Sequence, residues 1–386
     1  MLSITGCSAL LETGWAPCPL PIADGVIQPP EAATTASLQI DATGLLALPG
    51  IIDIHGDAFE RSIMPRPGVS FALHTALQDV DNQLVSHGVT TAFHGITCSW
   101  EPGLRSLENT ISMLDALDAQ KTRFRCDMRV HLRHEVFNLD AEASILDWIA
   151  TGRIQALAFN DHMRGIVLSA GVKVKKVKQM AQRAGLCDED FMALIERVMA
   201  SESHVSESLA RLAAAARLQG IPMLSHDDRH LNDREAYRAL GCEISEFPMQ
   251  EEVATATIAA GEMTVFGAPN VLRGGSHIGC PSAADMAQKG LCSILASDYY
   301  YPAILQAPFL LAQRGLCSLA QAWALVSRNP ARALGLSDRG VLAPGKRADL
   351  VLVEAHQGEA RLVATICGGA LSWLGDPSRL RASRGN

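Results

Sequence analysis

Short apolar runs alternate with longer stretches of helical spacing along most of the chain. The runs are GIIDIHGD (50–57), GVTTAFHG (88–95), MRVHLRHE (128–135), IQALAFNDH (154–162), IPMLSHDD (221–228), CEISEFP (242–248), MTVFGAPN (263–270) and CSILASDYY (292–300). Between most of them lie segments such as SLENTISMLDALDAQ and SESLARLAAAARLQG, whose apolar residues recur at helical intervals. Eight strands, each followed by a helix, predict an α/β fold in which a parallel sheet closes into a TIM-like (β/α)8 barrel over residues 50–340.

The two ends of the chain break this rhythm. Residues 1–49 are rich in Pro, Thr and Gly with only short apolar pieces, while GVLAPGKRADLVLVE (340–354) and ARLVATICGGALSW (360–373) read as strand and hairpin. Residues 1–49 and 341–386 are therefore expected to meet in one small β-sandwich domain beside the barrel. No internal repeat or low-complexity tract interrupts the pattern.

Composition narrows the function classes. With 33 basic and 41 acidic residues among 386, the formal charge is −8, which argues against general affinity for nucleic acid or an anionic membrane. The ten cysteines are scattered without a C-x-x-C pair and read as small buried hydrophobes in a reducing compartment. The first residues lack the basic start of a signal peptide, and no apolar run reaches the roughly 18 residues of a membrane span. A cytoplasmic protein is expected, with its oligomeric state left open.

The candidate chemistry lies where the apolar runs stop. His55 and Asp57 close the first run two residues apart, a spacing that puts both on one face of a strand. Four others end in His134 and Glu135, in Asp161 and His162, in His226, Asp227 and Asp228, and in Asp298. In a barrel these positions share the rim that carries active sites, and ionisable groups are rarely buried there unless paired or bound to metal. A cluster of imidazoles and carboxylates suits a divalent cation such as Zn, Mn or Fe. Singly, each residue reads equally well as a cap or a turn. His74, His87, His204, His230 and His356 fall in helical or loop contexts, while His94 and His131 stay open.

The segments LPGIIDIHGDAFE, GVTT, NPARALGL and DRGVLAPGKRADLVLV, with Asp298, resemble the amidohydrolase superfamily. The resemblance implies a metal-bearing barrel flanked by a β-sandwich built from both chain ends. It puts two divalent ions, with zinc favoured, on His55, Asp57, Glu135, His162, His226 and Asp298, and makes Asp298 the general base as well. Glu135 takes the bridging place. Many members use a carbamylated lysine there, but the lysines at 121, 173, 175, 176, 178, 289 and 346 all lie away from the candidate strand ends.

Within the superfamily, HLRHE, SHDD, EFP, GAPNVLRGGSH and SDYYYPAIL are similar to the branch that cleaves a ribose alkylphosphonate triphosphate during phosphonate use. That implies a small phosphorylated sugar substrate, contacted by Arg273, His277, Arg164 and Asp227. Arg273 is expected just after a strand end, where Gly274 and Gly275 let the backbone approach phosphate. The Lys173–Lys178 run is a weaker contact, since a charge run is usually a solvated face. The same ligands serve equally for hydrolysis of a C–N bond, which is the competing reading. A non-catalytic structural subunit is disfavoured because none of the six ligand positions is lost.

Overall fold

The computed structural model describes every residue except Ser37, Pro67, 165–172, His277, Ile278, Gln357 and 383–386. The eight apolar runs become eight strands in chain order. They are β1 (Ile51–Gly56), β2 (Val89–Cys98), β3 (Asp127–Glu135) and β4 (Ala156–Asn160), then β5 (Met223–His226), β6 (Ile244–Glu246), β7 (Met263–Gly267) and β8 (Ile294–Ala296). Each pairs in parallel with the next, from β1 through to β8. Such strands are covered on both faces, which is why they read as nearly unbroken apolar runs. Ile52, Ile54, Ala156, Ala158, Leu224, Ile244, Val265 and Ile294 fill the barrel floor, and a larger apolar layer packs between the strands and the helices.

The barrel closes just beyond the ends of β8 and β1. Asp57 N–H donates to Asp298 O (3.0 Å), and Asp298 N–H donates to His55 O (2.9 Å). Beneath this seam the buried Asp53 carboxylate accepts from the Ser297 backbone N–H at 2.9 Å and from the Ser297 hydroxyl. One carboxylate thus stitches strand to strand next to two candidate site residues.

The strands stop earlier than the apolar runs suggest, and the reason is in the backbone. Asp227, Phe247 and Asp298 each adopt a left-handed conformation (φ 59°, 53° and 55°) directly after β5, β6 or at the seam. That geometry is rare for residues other than glycine and collects at functional sites. After β7 the chain turns at once into a short helix, Ala268–Arg273, opened by Pro269 and ended by Gly274 at φ 81°. Arg273 therefore sits in the last turn of a helix, not directly after a strand, because Pro269 favours a helix's first turn and offers no ladder donor.

The chain ends form a β-sandwich of two sheets. Leu2–Thr5, Leu20–Ala23, Val26–Ile27, Leu38–Asp41 and Leu380–Ala382 make one; Ser8–Leu11, Gly14–Pro17, Leu46–Pro49, Leu350–His356, Glu359–Cys367 and Ala370–Leu374 make the other. Ile4, Ile22 and Ile40 face Ala47, Leu350, Leu352 and Ile366 in a core of their own. Arg339 ties the segment leading into this sandwich to the barrel, donating to Thr91 Oγ1 (2.8 Å) and Asp127 Oδ2 (2.6 Å). No helix among the described residues is long and apolar enough to cross a membrane.

The seam gives a direct stability test. Asp53→Ala leaves the Ser297 donors buried without an acceptor, and an orphaned buried donor costs about 1–3 kcal/mol. Urea unfolding should show an unfolding free energy lower by at least that amount, with a lower midpoint; an unchanged midpoint would remove Asp53 from the closure.

Candidate metal centre

Strand alternation carries most of the site. On β3, Val130 and Leu132 face the helix layer, so His131, Arg133 and Glu135 face inward. On β5 and β6, Leu224 and Ile244 lie in the barrel floor, and His226 and Glu246, two residues on, stand above them. β1 needs an extra device, because Ile54 already points into the floor and simple alternation would turn His55 outward. Asp53 pairs with Ala92 and Gly56 with His94, leaving Ile54 and His55 opposite the single residue Phe93. This bulge turns His55 back toward the barrel axis, and Asp57 follows it.

The centre is built around Glu246, a fully buried carboxylate. Its Oε1 lies 3.0 Å from His55 Nδ1 and its Oε2 lies 3.2 Å from His226 Nδ1. The two imidazoles are stacked, with centroids 5.5 Å apart and planes 15° from parallel. His131 Nδ1 is 3.7 Å from Glu246 Oε1 and bonds Ile54 O at 3.0 Å. Burial alone would raise the Glu246 carboxyl, but the facing His131 and His55 and the imidazole hydrogen bonds outweigh it and hold the group well below the usual range. As an anion it accepts from both Nδ1–H groups, which leaves Nε2 of His55 as an outward lone pair and Nε2 of His226 as the acceptor of an Arg133 N–H at 3.0 Å.

Three groups of donor atoms come within 4.8 Å of one another among the described residues: His55, Asp57 and Asp298; His162, His226 and Asp227; and, deeper, His55, His131 and Glu246. The seam positions the first group through its reciprocal backbone bonds. In the second, His162 Nδ1 lies 2.5 Å from Glu135 Oε1 and its Nε2 3.7 Å from Asp227 Oδ2. None of the three groups includes Glu135, whose carboxylate also accepts from the His162 backbone N–H at 3.4 Å.

The donor set fits a divalent cation on observations of its own. Two imidazoles have their rear nitrogens fixed by a shared carboxylate, the arrangement that orients metal-bound histidines. Gly95 on β2 leaves the front clear: a Cβ there would come 3.5 Å from His55 Nε2. Asp298, raised to about 6 by burial and by the neighbouring Asp57, suits a proton acceptor near neutral pH. His162 is raised to about 9, the effects of Glu135 and Asp227 outweighing its burial.

The remaining expected residues are more dispersed. Arg273 is exposed and donates to Tyr299 Oη at 3.3 Å, beside Asp298, while the Arg61 guanidinium lies over the Tyr299 ring, 5.9 Å from its centroid. Arg164 is half-exposed, 3.3 Å from Asp161 Oδ2 and 3.8 Å from Glu202 Oε1, on the wall of a neighbouring cleft. His277 lies outside the described residues, as does the backbone at 165–172 that precedes the lysine run. Asp228 and His134 turn away from the centre. Asp228 accepts from the Ser225 and Ser245 hydroxyls and pairs with Arg234, and His134 is buried edge-on against Phe159.

Two central residues, Glu246 and Arg133, are absent from the sequence-based expectation. Both interrupt a strand's apolar pattern at inward positions, Glu246 in EISEF and Arg133 midway between His131 and Glu135. Arg133 lies 3.0 Å from His226 Nε2 and 3.5 Å from Asp57 Oδ2. Together with His55, Asp57, His226 and Asp298, it lines a cavity of about 150 Å³ whose walls also include Met249 and Cys280.

The chain is similar in sequence and in fold to known proteins. Residues 46–371 match the amidohydrolase family. The chain is 35% identical over 325 residues to the alpha-D-ribose 1-methylphosphonate 5-triphosphate diphosphatase of Escherichia coli (strain K12), covering 82% of this chain and 85% of that protein. Among solved structures it resembles a molinate hydrolase (TM-score 0.63, 13% identity, 96% of this chain and 94% of that one). It also resembles the 5-methylcytosine deaminase of Klebsiella pneumoniae (TM-score 0.63, 16% identity, 97% and 98% covered).

Metal loading should be pH-dependent in a defined sense. A His162 held protonated up to about 9 must release its proton to become a ligand, so apparent affinity should rise with pH until that point and then level off. Titrating metal-stripped protein with zinc across this range checks it. In His162→Gln the slope should fall by about one proton, and an unchanged slope would remove His162 from the ligand set.

Proposed function

Since the chain belongs to the amidohydrolase family and is a metal-dependent hydrolase, we propose that it cleaves a sugar 5-triphosphate to the 5-phosphate and pyrophosphate. The proposed substrate class is a ribose 1-alkylphosphonate. The observation that carries this reading is a pair of arginines, Arg273 and Arg61, that converge on Tyr299, the residue following Asp298 in the chain. The identity to the Escherichia coli diphosphatase supports the same substrate class.

The proposed centre takes two divalent ions, zinc in the first instance with Mn or Fe as alternatives, on His55, Asp57, Glu135, His162, His226 and Asp298. When bound, such ions lower the pKa of a water and neutralise phosphate charge. Asp298 accepts the proton of the attacking water. The new P–O bond forms at the phosphorus next to the ribose, and the bridging bond to the second phosphate breaks. Pyrophosphate leaves with the bond's electron pair, and Asp298 returns the proton to it. Glu246 holds both imidazoles in one tautomer throughout, and Glu135 does the same for His162 while carrying negative charge to the centre. Arg273, with Arg61 behind Tyr299, holds the terminal phosphates. The sugar end is proposed to reach from Asp227 toward Arg164 in the neighbouring cleft that Asp227 also lines. His277 stands as a further proposed phosphate contact by its place in the GGSH motif.

Hydrolysis of a C–N bond would use the same water and the same base, so substrate charge is the discriminating variable. Metal-loaded protein should release pyrophosphate from sugar triphosphates. Arg273→Ala should lose about 1.5–3 kcal/mol of charge-assisted binding, on the order of tenfold to hundredfold in kcat/KM. Asp298→Asn should abolish turnover. Release of ammonia or carboxylate from neutral substrates, with triphosphates untouched, would replace this reading by the C–N one.

A further inference from the structure

Arg133 is a buried cation in an unusual position. It stands on the inner face of β3 between His131 and Glu135, and its guanidinium reaches the cavity where the donor groups meet. Gly95 makes room for it, since a Cβ there would fall 3.2 Å from Arg133 Cδ. A guanidinium taken out of water normally secures close carboxylates. Arg339, equally buried, does so, with Asp127 Oδ2 at 2.6 Å and Asp338 Oδ1 at 2.9 Å. Arg133 does not. Its nearest carboxylate oxygen is Asp57 Oδ2 at 3.5 Å, and its other neighbours are neutral: His226 Nε2 at 3.0 Å and the Asn160 amide, whose oxygen, turned toward it, accepts at 3.3 Å from both Nε and Nη2.

This pattern of partners does not fit a structural brace. Asp57 and His226 are the candidate ligands on either side of the cavity, so the guanidinium spans the space between them with a fork of donors directed inward. Asn160 fixes the rear of the fork, which orients it without neutralising it. A buried planar cation held by a neutral amide at the rear and meeting only one long carboxylate contact in front, Asp57 Oδ2 at 3.5 Å, keeps donors for an incoming anion with two oxygens. A neutral amide offers no such group. A phosphoryl centre under attack does, because its non-bridging oxygens carry the charge of the transition state.

We propose that Arg133 is a catalytic residue that binds the non-bridging oxygens of the reacting phosphoryl group, and that it is the determinant selecting phosphoryl over acyl substrates. It acts at the phosphorus itself, whereas Arg273 and Arg61 hold the far phosphates. The proposal rests on the triphosphate reading, but its binding component can be tested apart from it.

The test uses metal-loaded wild type, Arg133→Met and Arg133→Lys, with metal content, triphosphate turnover and the affinity for inorganic phosphate measured on each. Arg133→Met should retain its metal at saturating concentration, lose roughly hundredfold to thousandfold in kcat and bind inorganic phosphate at least tenfold more weakly. Arg133→Lys should keep fold and metal, recover part of the phosphate affinity, and still fall at least tenfold in kcat because an ammonium cannot fork two oxygens. A merely structural arginine would weaken metal binding and show full kcat once metal is saturating; that result overturns the proposal, as does wild-type kcat in the lysine variant should the methionine variant fail to fold. If wild type cleaves no triphosphate, phosphate affinity decides alone. A loss confined to the Arg133 variants upholds the anion-binding role while the triphosphate reading fails, and unchanged affinity sinks the inference.

Discussion

The site depends on one carboxylate shared by two imidazoles. Glu246 lies at the centre of the barrel, where an unpaired ionised carboxylate would be prohibitively costly, and it is stabilised by accepting from His55 on β1 and His226 on β5. Those two strands are far apart around the sheet, so the carboxylate sets the distance and the stacking of two rings that have no other reason to be parallel. Because both oxygens are used on Nδ1, both Nε2 atoms face the cavity. The donor geometry therefore follows from where the fold places this carboxylate.

The second constraint is the seam between β8 and β1. Asp53, Ser297 and the reciprocal bonds of Asp57 and Asp298 close the barrel and bring two carboxylates beside His55. Burial at the seam, and secondarily the nearby Asp57, raises Asp298 to about 6, so the closure of the fold also tunes the base. The left-handed backbone at Asp227, Phe247 and Asp298 has the same origin, since each residue leaves the ladder abruptly to turn its side chain over the rim.

Much of this could be read from the chain. Eight apolar runs, five of them ending in ionisable residues, predicted the barrel and its order, and His55, Asp57, His162, His226 and Asp298 do converge there. The unreadable features arise from three-dimensional parity. Arg133 sits within β3, and Glu246, although it ends β6, falls inside the longer apolar run CEISEFP, so a rule tuned to the ends of those runs passes over both. His55 faces inward because of a bulge opposite Phe93, which leaves no mark in the residue pattern. The same rule overreached at His134 and Asp228, which occupy strand ends but face outward. At Arg273, Pro269 converted an expected strand end into a helix.

The measurement that bears most directly on this account is a crystal structure of the zinc-loaded protein with anomalous data collected at the metal edge. Two anomalous peaks in the cavity are predicted, with His55 and His226 ligating through Nε2 while both Nδ1 atoms remain on Glu246. A metal bound to Glu246 itself, or to Nδ1 of either histidine, would contradict the claim that this carboxylate orients the ligands.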